Sequence, residues 1–275
     1  MIIDKNFLQT AQAAFCPYSP RSGTEHVAPL LYSLVRLTRP RTIVEYGSGY
    51  TTLFLLAALS ENATDTKEES ALLRDKTAAL GDLRTLNLSD SGSIIGEWFG
   101  NGGKACAADP AYYLDEHTPH LYSFEEEDAS HEYTQRMKHV VDALKLTDWF
   151  SHLRGTRFSI DALPAGALPI DMAWNDAQHY REFFETVWPV LNPRGGMMVF
   201  HNTVSRKYSW DAIQWMKARR SLANDIEVLT LPEIHKLDQS SCTILRRTTE
   251  YQPPCLTRQP EDTLRNAIRF MNKEG

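Results

Sequence analysis

The spacing of apolar residues changes several times along the chain, and each change marks an element. Between residues 23 and 37, Val27, Leu30, Leu31, Leu34 and Val35 recur every three or four positions, the signature of an amphipathic helix. Pro40 ends that helix, and Thr42 to Val44 form a short apolar strand. A glycine-bearing turn follows, and residues 51–59 are apolar enough to predict a buried helix. The pattern then lapses. Residues 60–119 are polar, with one helical stretch at 69–83 and an irregular GNGG at 100–103. A segment that long is no ordinary connection, so it predicts a lid or a small subdomain inserted after the first strand–helix unit. Residues 1–38 are expected to form a helical cover.

Beyond the polar stretch, short strands and helices alternate. Strands are predicted at 121–124, 156–160, 170–174 and 196–200, and helices at 131–144, 180–191 and 210–220. Pro193 and Gly195 close the second of these helices. The runs 226–231 and 242–247 predict an antiparallel pair at the end of the sheet, and residues 260–271 a terminal helix. Strands alternating with helices imply an α/β fold: a doubly wound, mostly parallel sheet with helices on both faces, here in a single domain spanning 1–275.

Charge narrows the function. A net charge of −6 and a pI near 5.9 argue against nucleic acid as partner, because a phosphate-binding surface needs clustered cations. The one tight basic group, Lys217, Arg219 and Arg220, reads as a solvated helix face. No apolar run has the length of a membrane span, and MIIDKNFLQTAQ lacks a signal-peptide pattern. Cys16, Cys106, Cys242 and Cys255 show no paired spacing. These features lead to the expectation of a cytoplasmic protein acting on a small molecule, with a homodimer allowed.

The turn after the first strand, in TIVEYGSGYTT, carries the chemistry. In an open parallel sheet, ligands bind beyond the carboxyl ends of the strands, and this turn lies at such an end. The third glycine of a dinucleotide fingerprint is missing, and so is the Gly-Lys-Ser/Thr of a P-loop. What remains is Glu-x-Gly-x-Gly, with Glu45 inside the strand end. A carboxylate there repels phosphate and suits a ligand bearing an ammonium group.

The same residues carry a resemblance. VEYGSGYTTLFLLAAL resembles the first motif of the class I S-adenosylmethionine (SAM) dependent methyltransferases, in the small-molecule O-methyltransferase-like branch where Ser or Thr replaces the third glycine. LYSFEEE, FSIDAL, IDMAWNDAQHY and LNPRGGMMVFHN are similar to the family's later segments, in the same order, over about residues 40–205. The resemblance implies a Rossmann-like methyltransferase fold with SAM as co-substrate. It implies that Glu45, Gly47, Ser48, Gly49, Thr51 and Asn175 line the cofactor site, that Glu125 takes the ribose hydroxyls and that Asp161 faces the adenine amino group. Glu126 stands where the family usually has an apolar residue, so either acid fits the ribose role.

Catalytic candidates cluster at the ends of the fourth and fifth predicted strands: Trp174, Asn175, Asp176, His179, Tyr180, His201, Asn202 and Ser205. Asp176, His201 and Asn202 are the expected catalytic residues. In metal-dependent relatives, an acid at the Asp176 position joins an Asp-Asn pair on a divalent cation. Here His201-Asn202 replaces that pair, and imidazole is a poor magnesium ligand, so the pattern favours a softer metal or none, and a divalent metal is possible but not favoured. His201 instead suits an acid–base role, because imidazole titrates near neutral pH. Two other functions stay open: transfer or cyclisation of the aminopropyl arm of SAM, releasing methylthioadenosine, and SAM binding without catalysis.

Overall fold

The computed structural model describes residues 3–18, 22–79, 107–125, 131–154, 158–257 and 260–273. Seven strands form one sheet: β1 (Thr42–Tyr46), β2 (His120–Glu125), β3 (Phe150–Arg154), β4 (Met172–Asn175), β5 (Met197–His201), β6 (Ile226–Leu231) and β7 (Cys242–Arg247). Their order is β3-β2-β1-β4-β5-β7-β6. The first five run parallel, and β7 is antiparallel to both β5 and β6. The chain moves outward from β1 to β3, then returns to β4 on the other side of β1. The order therefore reverses between β1 and β4, where a crevice opens beyond their carboxyl ends.

The helices of two turns or more are α1 (Lys5–Ala14), α2 (Val27–Thr38), α3 (Tyr50–Ala79), α4 (Glu132–Ala143), α5 (Tyr180–Val187), α6 (Lys207–Arg220) and α7 (Pro260–Asn272), with one further turn at Pro254–Thr257. The period-two alternation of the central strands feeds two cores. Ile43, Met172, Trp174 and Val199 pack with Leu31, Val35, Leu53, Leu56 and Met137 on one face. Val44, Ala173, Met198 and Phe200 pack with Phe183, Phe184 and Ile213 on the other. β1, β4 and β5 are buried at every position, as strands covered on both faces must be.

Several boundaries differ from the sequence reading. The third strand is Phe150–Arg154; of the stretch expected at 156–160, residues 156 and 157 lie outside the described residues. Of the expected residues, 158 and 159 are irregular and Ile160–Ala162 is a 3-10 turn. β3 is an edge strand with one neighbour, so its FSHLR sequence never needed a continuous apolar run. Phe158, which made the later stretch look like a strand, instead packs as a ring between Phe124 and Phe183. The helix expected at 51–59 runs unbroken to Ala79 and takes in the described part of the stretch predicted at 69–83. The GNGG segment lies outside the described residues. The helix predicted at 180–191 tightens into a 3-10 turn at Trp188–Val190, where Pro189 lacks an amide hydrogen.

The chain divides into two compact units, 1–61 with 119–251 and 62–118 with 252–275, and the boundary falls within α3. In the second unit, α7 buries Ala267 and Phe270 with Leu73, and Tyr113 and Leu114 pack against that cluster. The Tyr113 hydroxyl donates to Glu69 at 2.8 Å. The terminal helix and the polar segment thus share one small core, a pairing that sequence alone did not indicate.

Candidate active site

The turn joining β1 to α3 is held from every side. Gly47 has φ +91°, a backbone that suits glycine, and its amide donates to the Phe124 carbonyl at 3.2 Å. The Ser48 amide donates to the Glu125 carboxylate, and the Gly49 amide to Thr52 Oγ1 at 2.7 Å. The Tyr133 hydroxyl donates to the Ser48 carbonyl at 2.5 Å. A Cβ at Gly49 would lie 3.1 Å from that same hydroxyl. Beneath the turn, Glu45 is fully buried and accepts from Thr52 and Ser123 at 2.8–3.0 Å. Burial pushes its carboxyl well above the usual range; those hydroxyl bonds pull it back, and the nearby charges of Glu125 and Asp176 raise it further. A preformed turn of this kind needs little ordering when a ligand arrives.

A cavity of about 530 Å³ opens beside the turn, lined by the ends of β1, β2 and β5, by the loops after β1, β4, β5 and β6, and by the first turns of the helices that start at Tyr180 and Lys207. Gly47, Glu125, Asp176, His201 and Asn202 are among its walls. Asp176 Oδ1 and His201 Nδ1 lie 2.7 Å apart. His201 is 1% exposed, and its Nε2 is buried with no protein partner. Burial works against the imidazolium, but the charge of Asp176 and its hydrogen bond outweigh that, and Glu233 adds to them, so the pKa of His201 is raised. Behind the strand end, the Tyr180 hydroxyl donates to the His201 carbonyl at 2.7 Å. Asn202 stands at φ +54° with its Oδ1 buried and unpartnered. Strained backbone next to orphaned polar atoms is the pattern of a binding site.

Most of the other residues expected from sequence lie outside the cavity wall. Ser48, Gly49 and Thr51 shape the turn without lining the cavity, and Thr51 accepts the Trp174 indole hydrogen at 3.2 Å. Glu45 supports the turn from below, away from the cavity wall. Asn175 is fully buried; its Oδ1 accepts from the Ala177 amide at 2.9 Å, and its Nδ2 is unpartnered. Asp161 is exposed on its 3-10 turn and is not a cavity residue. Glu126 lies outside the described residues. His179 and Tyr180 do line the cavity, whereas Ser205 instead bonds Ser240 at 2.8 Å. Tyr46, Ala177, Gln178, Arg206, Tyr208 and Gln239 complete the wall and had not been singled out. Tyr46 and the Ala177-Gln178 pair were legible as neighbours of named motifs. Gln239, from the β6–β7 connection, carried no signal.

The position that the resemblance gives to a divalent cation suits a hard one poorly here. Asp176 Oδ1 is taken up by His201 Nδ1, and the Asn202 amide oxygen is the neutral group beside them. One carboxylate, one imidazole and one amide make a poor donor set for a hard cation.

A doubly wound sheet, a glycine turn at its switch point and carboxylates at neighbouring strand ends define a nucleoside-binding α/β protein. The sequence profile of a family described as a methyltransferase domain matches residues 44–203, and the chain belongs to that family. Solved structures of similar fold include the O-methyltransferase TomG from Streptomyces achromogenes, in complex with SAM, at 15% identity. That alignment covers 89% of this chain and 90% of TomG, with a TM-score of 0.54. Podospora anserina methyltransferase PaMTH1, bound to S-adenosylhomocysteine (SAH), aligns at 12% identity over 89% and 88% of the two chains, TM-score 0.54. An O-methyltransferase from Bacillus cereus in complex with SAH gives 12%, 88% and 89%, TM-score 0.52. No curated protein matches the chain in sequence.

Proposed function

We propose that this protein uses SAM to methylate a hydroxyl group on a small-molecule acceptor. The observation that carries the reading is the pair of carboxylates in the cavity wall, Glu125 and Asp176. SAM supplies an electrophilic methyl group on a positively charged sulfur and carries an ammonium besides. An anionic surround favours that cation and disfavours phosphate-bearing nucleotides. Once the methyl has left, the sulfur is neutral, so the attraction falls on the product side. Gly47 lets backbone approach the amino-acid end of the ligand, and Glu125 suits the ribose hydroxyls. O-methyltransferases of the same fold agree with this reading.

His201 is the base in this scheme. Asp176 accepts from Nδ1 and so leaves the lone pair on Nε2, which is buried without a protein partner. As the acceptor oxygen forms its bond to the methyl carbon, the carbon–sulfur bond breaks with its electrons kept on sulfur, and the hydroxyl proton passes to the Asp176–His201 pair. Asp176 stabilises the imidazolium that results. A small-molecule rather than nucleic-acid acceptor is supported by the basic helix face, where Arg219 meets Glu185 at 3.7 Å and Arg220 clamps Asp225. No described helix is long and apolar enough to cross a membrane.

Calorimetric titration with SAM, SAH and NADH tests the proposal. Both sulfur nucleosides should bind and NADH should not. Glu125→Ala should weaken SAH by about tenfold or more, the loss expected of charge-assisted bonds. Absence of heat with SAM and SAH would overturn the assignment. Analysis of nucleoside products then separates methyl transfer, which yields SAH, from aminopropyl chemistry, which yields methylthioadenosine.

A further inference from the structure

A second set of ligating side chains, near enough for the charges of Glu233 and Lys236 to act on His201, gathers where the segment before α2 meets the loop after β6. Glu25 and His26 come from the first, Glu233 and His235 from the second, and one ligand atom of each lies within 4.8 Å of all the others. His26 Nδ1 is 3.2 Å from Glu233 Oε1 and 3.8 Å from Glu25 Oε1. The Ser241 amide holds Glu233 Oε2 at 3.1 Å, which leaves Oε1 for the cluster. Glu25 Oε2 is buried without a partner.

A positive charge already sits among these carboxylates. Lys236 Nζ lies 2.8 Å from Glu25 Oε1, 2.9 Å from Glu233 Oε1 and 2.7 Å from the Gly23 carbonyl. Burial opposes ionisation of Glu25, and the Lys236 ammonium outweighs it, so the carboxyl sits below its ordinary range. The arrangement is a cation site filled by an amine on a flexible four-carbon stem.

We infer that Glu25, His26, Glu233 and His235 form a zinc site for which Lys236 is the intramolecular competitor. Two imidazoles and two carboxylates match the ligands and four-coordination that Zn²⁺ favours, whereas magnesium would want more oxygen. Zinc bond lengths place tetrahedral donors about 3.3 Å apart, so the observed spacings need only a modest inward shift. Binding requires Lys236 to swing into solvent. The bound ion would then tie the α2 approach to the β6–β7 loop, whose Gln239 is a wall of the cavity.

Zinc titration by calorimetry, on the full chain in a Cys16→Ser background, tests the site, since Cys16 is an exposed thiol. Wild type should bind one equivalent, and Lys236→Met should bind at least tenfold tighter because the competitor is gone. The double variant His26→Ala/His235→Ala should lose that equivalent while keeping its melting temperature in metal-free buffer, since both histidines are exposed. Cobalt should give visible bands in Lys236→Met that the double variant lacks. Equal affinity in wild type and Lys236→Met, or binding undiminished in the double variant, would overturn the inference.

Discussion

At the scale of single residues, two ionisable groups define how this protein should respond to pH. His201 has a raised pKa, so it holds its proton further up the pH scale than a free imidazole, and it serves as a base only after losing it. The rate should therefore fall toward acid pH with an apparent pKa above 6.5. His201→Asn should lower kcat by about 10²–10⁴-fold with SAM affinity kept. Asp176→Asn removes the charge that raises the pKa and leaves burial to dominate, so the acid limb should move below 6.5 in rate–pH profiles. An unmoved limb would rule out the dyad. Glu45 behaves as a buried acid: its folded pKa is raised, so its contribution to stability is complete below 4.5 and is lost as pH climbs through the folded value. Glu45→Gln stays neutral throughout. Its melting temperature should decline less than that of wild type between about pH 5 and pH 8, and identical slopes would contradict this account.

At the scale of elements, the sheet explains both what was legible and what was not. β1, β4 and β5 are central, so each reads as an apolar run and was found within a residue or two. β3 lies at the edge and reads as polar, while Phe158, though aromatic, belongs to a loop. The β6–β7 pair falls on the two runs expected to pair, 226–231 and 242–247. Its register places Arg247 where Nη1 donates to the carbonyls of Trp188, Pro189 and Leu191 at 2.6–3.2 Å, closing the turn that follows α5. Arg247→Met keeps the aliphatic stem and strips those donors. It should cost about 1–3 kcal/mol in chemical denaturation, because partly buried carbonyls lose a charged partner. A cost near zero would show that water replaces the guanidinium.

At the scale of the whole molecule, the division into two units sets what each mutation can reach. Phe270 is 5% exposed in the cluster it shares with Leu73 and Ala267. Phe270→Ala should cost the second unit about 3–5 kcal/mol, the usual penalty for emptying an aromatic site. Faster amide exchange in Pro110–Leu114 and α7 would report it. Every residue lining the cavity belongs to the other unit, so SAH affinity should hold. A parallel loss of SAH binding would contradict that separation.

The sequence by itself determined the alternation of strands and helices, the glycine turn and the acids beside it. Those features are local: period, turn chemistry and residue type act over a few positions. Only the tertiary structure decided that Glu45 braces the turn from beneath, that Asp161 faces solvent, and that His201 and Asp176 pair at 2.7 Å. Only it brought Gln239 to the cavity and Glu233 to His26, since contacts between residues far apart in the chain leave no periodic trace. Burial, which fixes the charge state of these groups, belongs to the packed molecule and to no stretch of sequence alone.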